Sequence, residues 1–386
     1  MPSWQRVMIK MANGLSDLRI PRRECFMIHR RVLSAFLGIA LTAVGAQAQS
    51  RYRLYVVSES GDIVTQLAWD GTTLTTLKTV PVGLMPSDID GPHNVTVSPD
   101  GQYYYITIAH GQPFGALWKM TVDGDTLVGR APVELFPTTI SITPDGELAF
   151  VANSDFHGDH PRTNVVSVVY TPRMAPLVSI AACDMPHGVK VNHAGTFVYV
   201  TCMNSDEVLE IDRQSLAITR RHKTGEGMGH AGMGTPAAGS AHDCSPTFVS
   251  LSADDRRLYV ACNHGNTLQV LDAATLELVK EIPTGTGAYN VEPSPDGRWV
   301  IVTNKKAQSI SVIASDSLVE VARIPTTKKL PHGVAFSPDS RYAFISQESI
   351  GMDPGAVDVI DLTTRRQVAT VPVPLQPTGI VTLPLP

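Results

Sequence analysis

Apolar and polar positions alternate along this chain in short runs, all but the first preceded by a turn, and the phrase recurs at a period of roughly 40–50 residues. The apolar runs are Tyr55-Val56-Val57, Tyr104-Tyr105-Ile106, Phe150-Val151-Ala152-Asn153, Tyr199-Val200-Thr201, Tyr259-Val260-Ala261-Cys262-Asn263, Val300-Ile301-Val302-Thr303-Asn304 and Ala343-Phe344-Ile345-Ser346. Five follow a recognisable turn, at Ser98-Pro99-Asp100-Gly101, Thr143-Pro144-Asp145-Gly146, Ser252-Ala253-Asp254-Asp255, Ser294-Pro295-Asp296-Gly297 and Ser337-Pro338-Asp339-Ser340. A sixth turn, Asn192-His193-Ala194-Gly195, is looser. Period-two alternation punctuated by Pro, Asp and Gly predicts short strands, and strands repeating at this spacing predict a β-propeller.

Each repeat divides into four strands. In one they fall at 189–191, 197–202, 208–212 and 216–221, and in the next at 249–251, 258–262, 268–272 and 278–282. Asp212, Asp272 and Asp361 each close a third strand, where a short carboxylate caps a tight turn. Residues 53–57 read as a second strand with no inner strand before it. Residues 377–384 read as an inner strand with nothing after it. Together they complete one blade, so the expected fold is an all-β, seven-bladed propeller closed by its C-terminal strand over 49–386.

The first 48 residues are of another kind. Arg30-Arg31 precede an apolar run over 32–44, followed by Ala46-Gln47-Ala48. That is the order of a secretory signal, with Met27 the expected start and export to the periplasm or beyond. The arginine pair leaves the general and the twin-arginine routes both open. The run is too short to span a bilayer. Seven of the 31 Lys and Arg lie in this leader, against two of the 36 Asp and Glu. The remainder is therefore near −10 (the whole chain is −5), with no basic run. That argues against nucleic acid and anionic membranes as partners. The expected state is a monomer, with a small molecule, a metal or a protein at one face.

Phe-Val-Ala-Asn at 150–153, Tyr-Val-Ala-Cys-Asn at 259–263 and the Ser-Pro-Asp-Gly turns resemble the YVTN repeat family of bacterial seven-bladed propellers. The resemblance covers 51–386 and implies a secreted or periplasmic protein. It implies little about activity, because binders, enzymes and cell-surface proteins share the scaffold.

Propeller geometry sorts the chemistry. The linker into each inner strand and the loop after each second strand open on one rim, the top. The position just before each inner strand points toward the top of the channel, and its seven occupants are His93, Thr138, His187, Thr247, Tyr289, His332 and Thr378. The loops add His110, His157, His160 and His264. A Gly-rich insertion over 222–244 adds His222, Met228, His230, Met233 and His242, and reads as an adaptable cover. His193 falls on the opposite rim.

Imidazoles at a channel mouth are candidate ligands for copper or another transition metal, with His93, His187, His332, His264 and His242 as the set and Met203, Met228 and Met233 as soft donors. The Pro-His-Gly motifs at 186–188 and 331–333 are similar to those of nitrous-oxide reductase and haem-binding nitrite reductase propellers. Equally, Pro-His-Gly can be a turn device whose imidazole holds a neighbouring carbonyl. An organic or peptide ligand at Tyr289, Thr138, Thr247, Thr378, His110 and the Met/His insertion is the third reading.

Cys183 precedes Cys202 by 19 positions and Cys244 precedes Cys262 by 18, each pair joining a linker to a second-strand end. Two disulfides are expected in an oxidising compartment. The alternative is a thiolate site with His187, His264 and Asp243. Asp155, Asp159 and Asp206 could bind calcium but read better as solvated turn carboxylates, and Asn94-Val95-Thr96 is a glycosylation match inside a strand. No nucleophile elbow, phosphate loop, His-Glu-x-x-His or Cys-x-x-Cys-His occurs, and no acid–base pair for a lactonase-like hydrolase is legible. The sequence thus favours a binding or scaffold protein, with a metal-dependent oxidoreductase as the alternative.

Overall fold

The computed structural model describes residues 52–83, 90–110, 115–156, 163–225 and 244–384. The expected leader lies outside them. Seven four-stranded antiparallel sheets make a seven-bladed propeller. Six blades are continuous in sequence, at 92–132, 137–181, 186–223, 246–283, 288–325 and 331–373 (blades two to seven). Blade one joins both ends: strand Pro377–Pro384 pairs with Tyr52–Ser58, with Leu54 opposite Thr382 and Tyr55 opposite Val381. The ring therefore closes as the two incomplete repeats predict.

The apolar positions of each strand serve blade-to-blade contacts, not a single centre. Seven core clusters each bridge two neighbouring blades. One joins Trp69, Leu54 and Val56 of blade one to Tyr342, Phe344 and Val357 of blade seven, with the Trp69 ring edge-on to Tyr342 at 5.1 Å. Burying such residues stabilises by roughly 1.5–3 kcal/mol each, and a ring spreads that gain over every junction.

The inner strands share one manner of beginning. Six of them, starting at Pro92, Pro137, Pro186, Pro246, Pro331 and Pro377, open on proline, and Ala288 replaces it in the seventh. The preceding residue is left-handed in all seven, with φ of 62° at Gly91, 50° at Phe136, 59° at Met185, 47° at Ser245, 74° at Gly287, 55° at Leu330 and 53° at Gln376. For a bulky residue this costs of order 1–3 kcal/mol, and such strain gathers where a backbone must aim a side chain.

Hydroxyls tie the inner strands to one another. Thr378 Oγ1 donates to the His93 carbonyl at 2.7 Å, Thr138 to His187 at 3.1 Å, and Thr247 to Tyr289 at 2.5 Å. Thr201, Thr303 and Ser346 donate in the same way to Thr247, His332 and Thr378. Gly188 and Gly333 permit the close approach: a β-carbon would stand 2.7 Å from the Thr247 carbonyl and 2.6 Å from that of Thr378.

Both disulfides are formed. Cys183–Cys202 and Cys244–Cys262 join α-carbons 5.9 and 4.4 Å apart, each tying a linker to the end of a second strand. In blades three and six that strand end carries Asn153 and Asn304. Their side-chain amides instead donate to the third strand, at Ser167 Oγ and Ser311 Oγ respectively. The insertion differs from expectation at its start. His222 lies in the outer strand Ala217–Lys223, opposite Val208, because its alternation continues that strand. Residues 226–243, with Met228, His230, Met233 and His242, lie outside the described residues.

Candidate functional site at the channel mouth

The left-handed residue before each inner strand, followed by proline in six of the seven and by Ala288 in the other, turns the second strand residue toward the axis, and these side chains meet at the top. The His93 and His332 rings stand 5.4 Å apart at 81°. Tyr289 lies 4.8 Å from His332 and 5.5 Å from His187. Phe248 touches His187, Tyr289 and His332, and Phe136 packs against His93 and His110. The three histidines are 6%, 0% and 1% exposed in sequence order, so the layer closes the channel. Beneath it the inner strands enclose a cavity of about 300 Å³, whose lining includes Lys190 and Glu292 in an ion pair at 2.7 Å.

Charged groups from the second-strand loops reach into this layer. Glu59 follows the first-blade second strand in a single 3-10 turn. It accepts from His93 Nδ1 at 2.5 Å and from His110 Nε2 at 3.0 Å. Lys305 and Glu348, from the corresponding places in blades six and seven, form an ion pair at 2.5 Å, with the Lys305 ammonium 3.8 Å from the centre of the Tyr289 ring. The side chains of Glu59, Lys305 and Glu348 are 7%, 19% and 12% exposed. Burying charges costs several kcal/mol unless they are paired, and each of these is.

The three histidines differ. His187 is fully used: Nδ1–H donates to the Thr247 carbonyl at 2.9 Å, which fixes the tautomer, and Nε2 accepts the Tyr289 hydroxyl at 3.1 Å. His93 spends Nδ1–H on Glu59 and leaves Nε2 buried without a partner. His332 has neither nitrogen paired, its Nε2 being 3.8 Å from Glu348. Buried polar atoms lack a partner only rarely, so three such nitrogens on two facing rings single out this spot.

Titration follows the surroundings. Burial, reinforced by His93 and opposed by the Thr247 carbonyl, lowers His187 to about 3. Burial, with Lys305 and the other two imidazoles, holds His332 well below the ordinary range. Burial would raise Glu59, but the charge and hydrogen bonds of His93 and His110 outweigh it and bring it to about 2. Burial raises Tyr289 to about 12. Burial works against the Lys305 ammonium, yet Tyr289 and Glu348 keep it above its usual value. At neutral pH the layer therefore holds the Glu59 carboxylate, the Lys305 ammonium, a neutral Tyr289 phenol and neutral imidazoles at His187 and His332.

Of the candidates read from sequence, His93, His187, His332, Tyr289 and His110 come together here. Thr138, Thr247 and Thr378 are at the mouth, but their hydroxyls donate to backbone carbonyls. His264 is exposed in the blade-five loop, its N–H donating to the Cys244 carbonyl. Met203 also serves through its backbone, to the Met185 carbonyl. His193 pairs with Asp255 on the other rim at 2.6 Å. Asp155 and Asp206 accept from the Thr163 and Ser245 amides and hold loops. Asn94 lies in an inner strand lining the cavity. His157, Asp159 and His160 lie outside the described residues. Among the described residues no three His, Cys, Asp or Glu side chains gather as a metal-binding group. Glu59, Lys305, Glu348, Phe136 and Phe248 escaped the sequence reading. The available signal was positional, since three of them directly follow the strand-ending Ser58, Asn304 and Gln347.

A closed seven-bladed ring with a polar mouth defines the class of protein. Residues 129–384 match the model of the YNCE-like β-propellers, and the chain belongs to that family. No curated protein matches it significantly. Its fold is similar to that of Kuenenia stuttgartiensis hydrazine synthase, at 21% identity and a TM-score of 0.62 over 78% of this chain and 93% of that one. A candidate 6-phosphogluconolactonase from Bacteroides fragilis aligns at 14% identity and 0.68, over 88% and 99%. The dihydro-heme d1 dehydrogenase NirN aligns at 17% and 0.55, over 85% and 74%. These likenesses establish the fold and leave the activity open, because 1599 solved chains share it.

Proposed function

We propose that the protein is an exported binding protein that holds a small ligand at its top face. The single observation that supports this most is the buried layer of Glu59, His93, Lys305, His332 and Glu348 set against Phe136, Phe248 and Tyr289. A ring needs only apolar blade contacts to close. Charges and unpaired imidazole nitrogens at its axis cost stability, and proteins keep such groups where recognition uses them. Aromatic walls around a few convergent polar groups are the usual make-up of a small-molecule site. The two disulfides fit an oxidising compartment such as the periplasm or exterior, as does the leader. Among the described residues no helix is long and apolar enough to cross a membrane.

Native mass spectrometry of the protein isolated from its exporting host tests this. The expected result is a bound species that a His332→Phe, Lys305→Met double variant loses. A protein that carries no adduct, and whose melting temperature no compound in a broad metabolite and metal panel raises, overturns the reading. A redox-active metal or a hydrolysed lactone among the hits would turn the binder into an enzyme.

A further inference from the structure

We infer that the lower half of the channel is a second ligand site, separate from the mouth, which takes a small zwitterion: an α-amino acid with a neutral polar side chain.

Three observations carry it. The first is a space with one way in. The cavity beneath the aromatic layer, about 300 Å³, has the size of a site for a small molecule. Phe248 belongs both to its lining and to the layer that closes the channel. At the other end its lining reaches Pro295, in the Ser294-Pro295-Asp296-Gly297 turn of the lower rim. A ligand therefore enters from below.

The second is an ion pair that crosses the channel. The fifth residue of the inner strand is Lys190 in blade four and Glu292 in blade six. Lys190 Nζ donates to Glu292 Oε1 at 2.7 Å, and Ser250 Oγ of the intervening blade donates to Oε2 at 3.0 Å. The same position holds Val381, Thr96, Ser141 and Ala335 in the other blades, so a charge here is not part of the repeat. Both side chains are half-buried and line or face the cavity with one charge of each sign. A ligand carrying a single charge would pair with one partner and strand the other, which is unfavourable away from bulk water. A zwitterion strands neither. Its carboxylate takes Lys190 and its ammonium takes Glu292, so one ion pair becomes two.

The third is unspent hydrogen-bonding capacity. Asn290 lines the cavity and is only 8% exposed. Its backbone N–H donates to Thr303 Oγ1 at 2.9 Å, but its side-chain amide has no hydrogen bond among the described residues. Buried polar groups are seldom left so. Asn94 lines the same cavity from blade two, and its side-chain amide is unpaired among the described residues as well. Asn290 precedes Glu292 by two residues, about 7 Å along the strand. A glutamine side chain and one hydrogen bond span that distance, with the head group on the ion pair and amide meeting amide.

Isothermal titration calorimetry of the purified protein with L-glutamine tests the site, beside L-alanine, butyrate and butylamine. One L-glutamine per chain is expected. L-alanine should bind about tenfold more weakly, because it cannot use the Asn290 amide. Butyrate and butylamine, with one charge each, should bind about 100-fold more weakly. Lys190→Met with Glu292→Met removes both charges together and leaves no unpaired one to threaten the fold. It should abolish L-glutamine binding in a chain that still unfolds cooperatively. Asn290→Ala should bring L-glutamine down to the affinity of L-alanine, which a purely structural role for the ion pair would not produce. No binding of either amino acid, single-charge compounds held as tightly as L-glutamine, or L-glutamine held equally well by the Lys190→Met, Glu292→Met variant overturns the inference. L-glutamine binding that this variant keeps and the His332→Phe, Lys305→Met variant loses belongs to the mouth. That result overturns the second site and leaves the binding reading above standing.

Discussion

The two rims of this ring use the same repeat for opposite ends. On the lower rim the same turn returns five times, and its hydroxyl and carboxylate satisfy each other within three residues, as in Ser98 with Asp100, Thr143 with Asp145 and Ser294 with Asp296. On the upper rim each blade contributes something different, and polar groups reach across blades: Glu59 to His93 and His110, His187 to Thr247 and Tyr289, Lys305 to Glu348. The lower rim builds the scaffold from turns that first satisfy themselves and are then linked blade to blade, as His193 is to Asp255 and the Asp296 amide to Ser340 Oγ. A rim whose groups depend on other blades can be shaped for recognition, at a cost that its disulfides help to offset.

The largest expected effect of breaking this contrast comes from the disulfides, which belong to the upper rim alone. Each closes a loop of similar length worth about 3 kcal/mol, so Cys202→Ala with Cys262→Ala should lower unfolding stability by about 6 kcal/mol in denaturant titration. A loss below about 1 kcal/mol would mean that the rim holds itself. Next comes the buried carboxylate. Glu59 falls from 4.5 to about 2 on folding, a contribution of about 3 kcal/mol at neutral pH. Because the folded value is the lower one, this stability is complete above pH 4.5 and disappears as pH drops toward 2. Glu59→Gln should remove it at neutral pH and flatten that limb of the stability curve. His187 produces a second, higher window. The unfolded chain takes up its proton below pH 6.5 and the folded one only near 3, so stability falls across that range, and His187→Gln should flatten it.

A smaller effect is expected from Thr247→Val, which leaves the Tyr289 carbonyl without its donor inside the ring, at about 2 kcal/mol. Smallest is Asp296→Ala on the lower rim, about 1 kcal/mol, because one exposed turn loses one acceptor. It should leave ligand binding at the mouth unchanged. If it weakens ligand binding there, the separation of the rims is wrong.

The backbone of this account was legible in the sequence because repetition multiplies a weak signal. One Tyr-Val-Ala run proves little, but seven at a steady spacing define blades, and the matching half-blades at 53–57 and 377–384 define closure. The cysteine spacings of 19 and 18 placed both bridges for the same reason. The mouth was legible only where residue type or position advertised itself, at His93, His110, His187, Tyr289 and His332. Glu59 sits in Ser58-Glu59-Ser60-Gly61, which reads as an exposed turn, and Lys305 sits in a Lys-Lys pair that reads as solvated surface. Their burial arises from seven blades meeting at an axis, and no local pattern encodes that. The division of labour among the imidazoles was hidden too, since it depends on which carbonyl or carboxylate stands opposite each ring nitrogen.

The pairing of Pro377–Pro384 with Tyr52–Ser58 has a consequence in time. The strand that locks the circle is the one synthesised after all the others. Until the ribosome has added it, the growing polypeptide carries an unpaired edge at its beginning and an unfinished wall at its end. A ring that cannot lock early assembles its axial layer only after that strand has arrived.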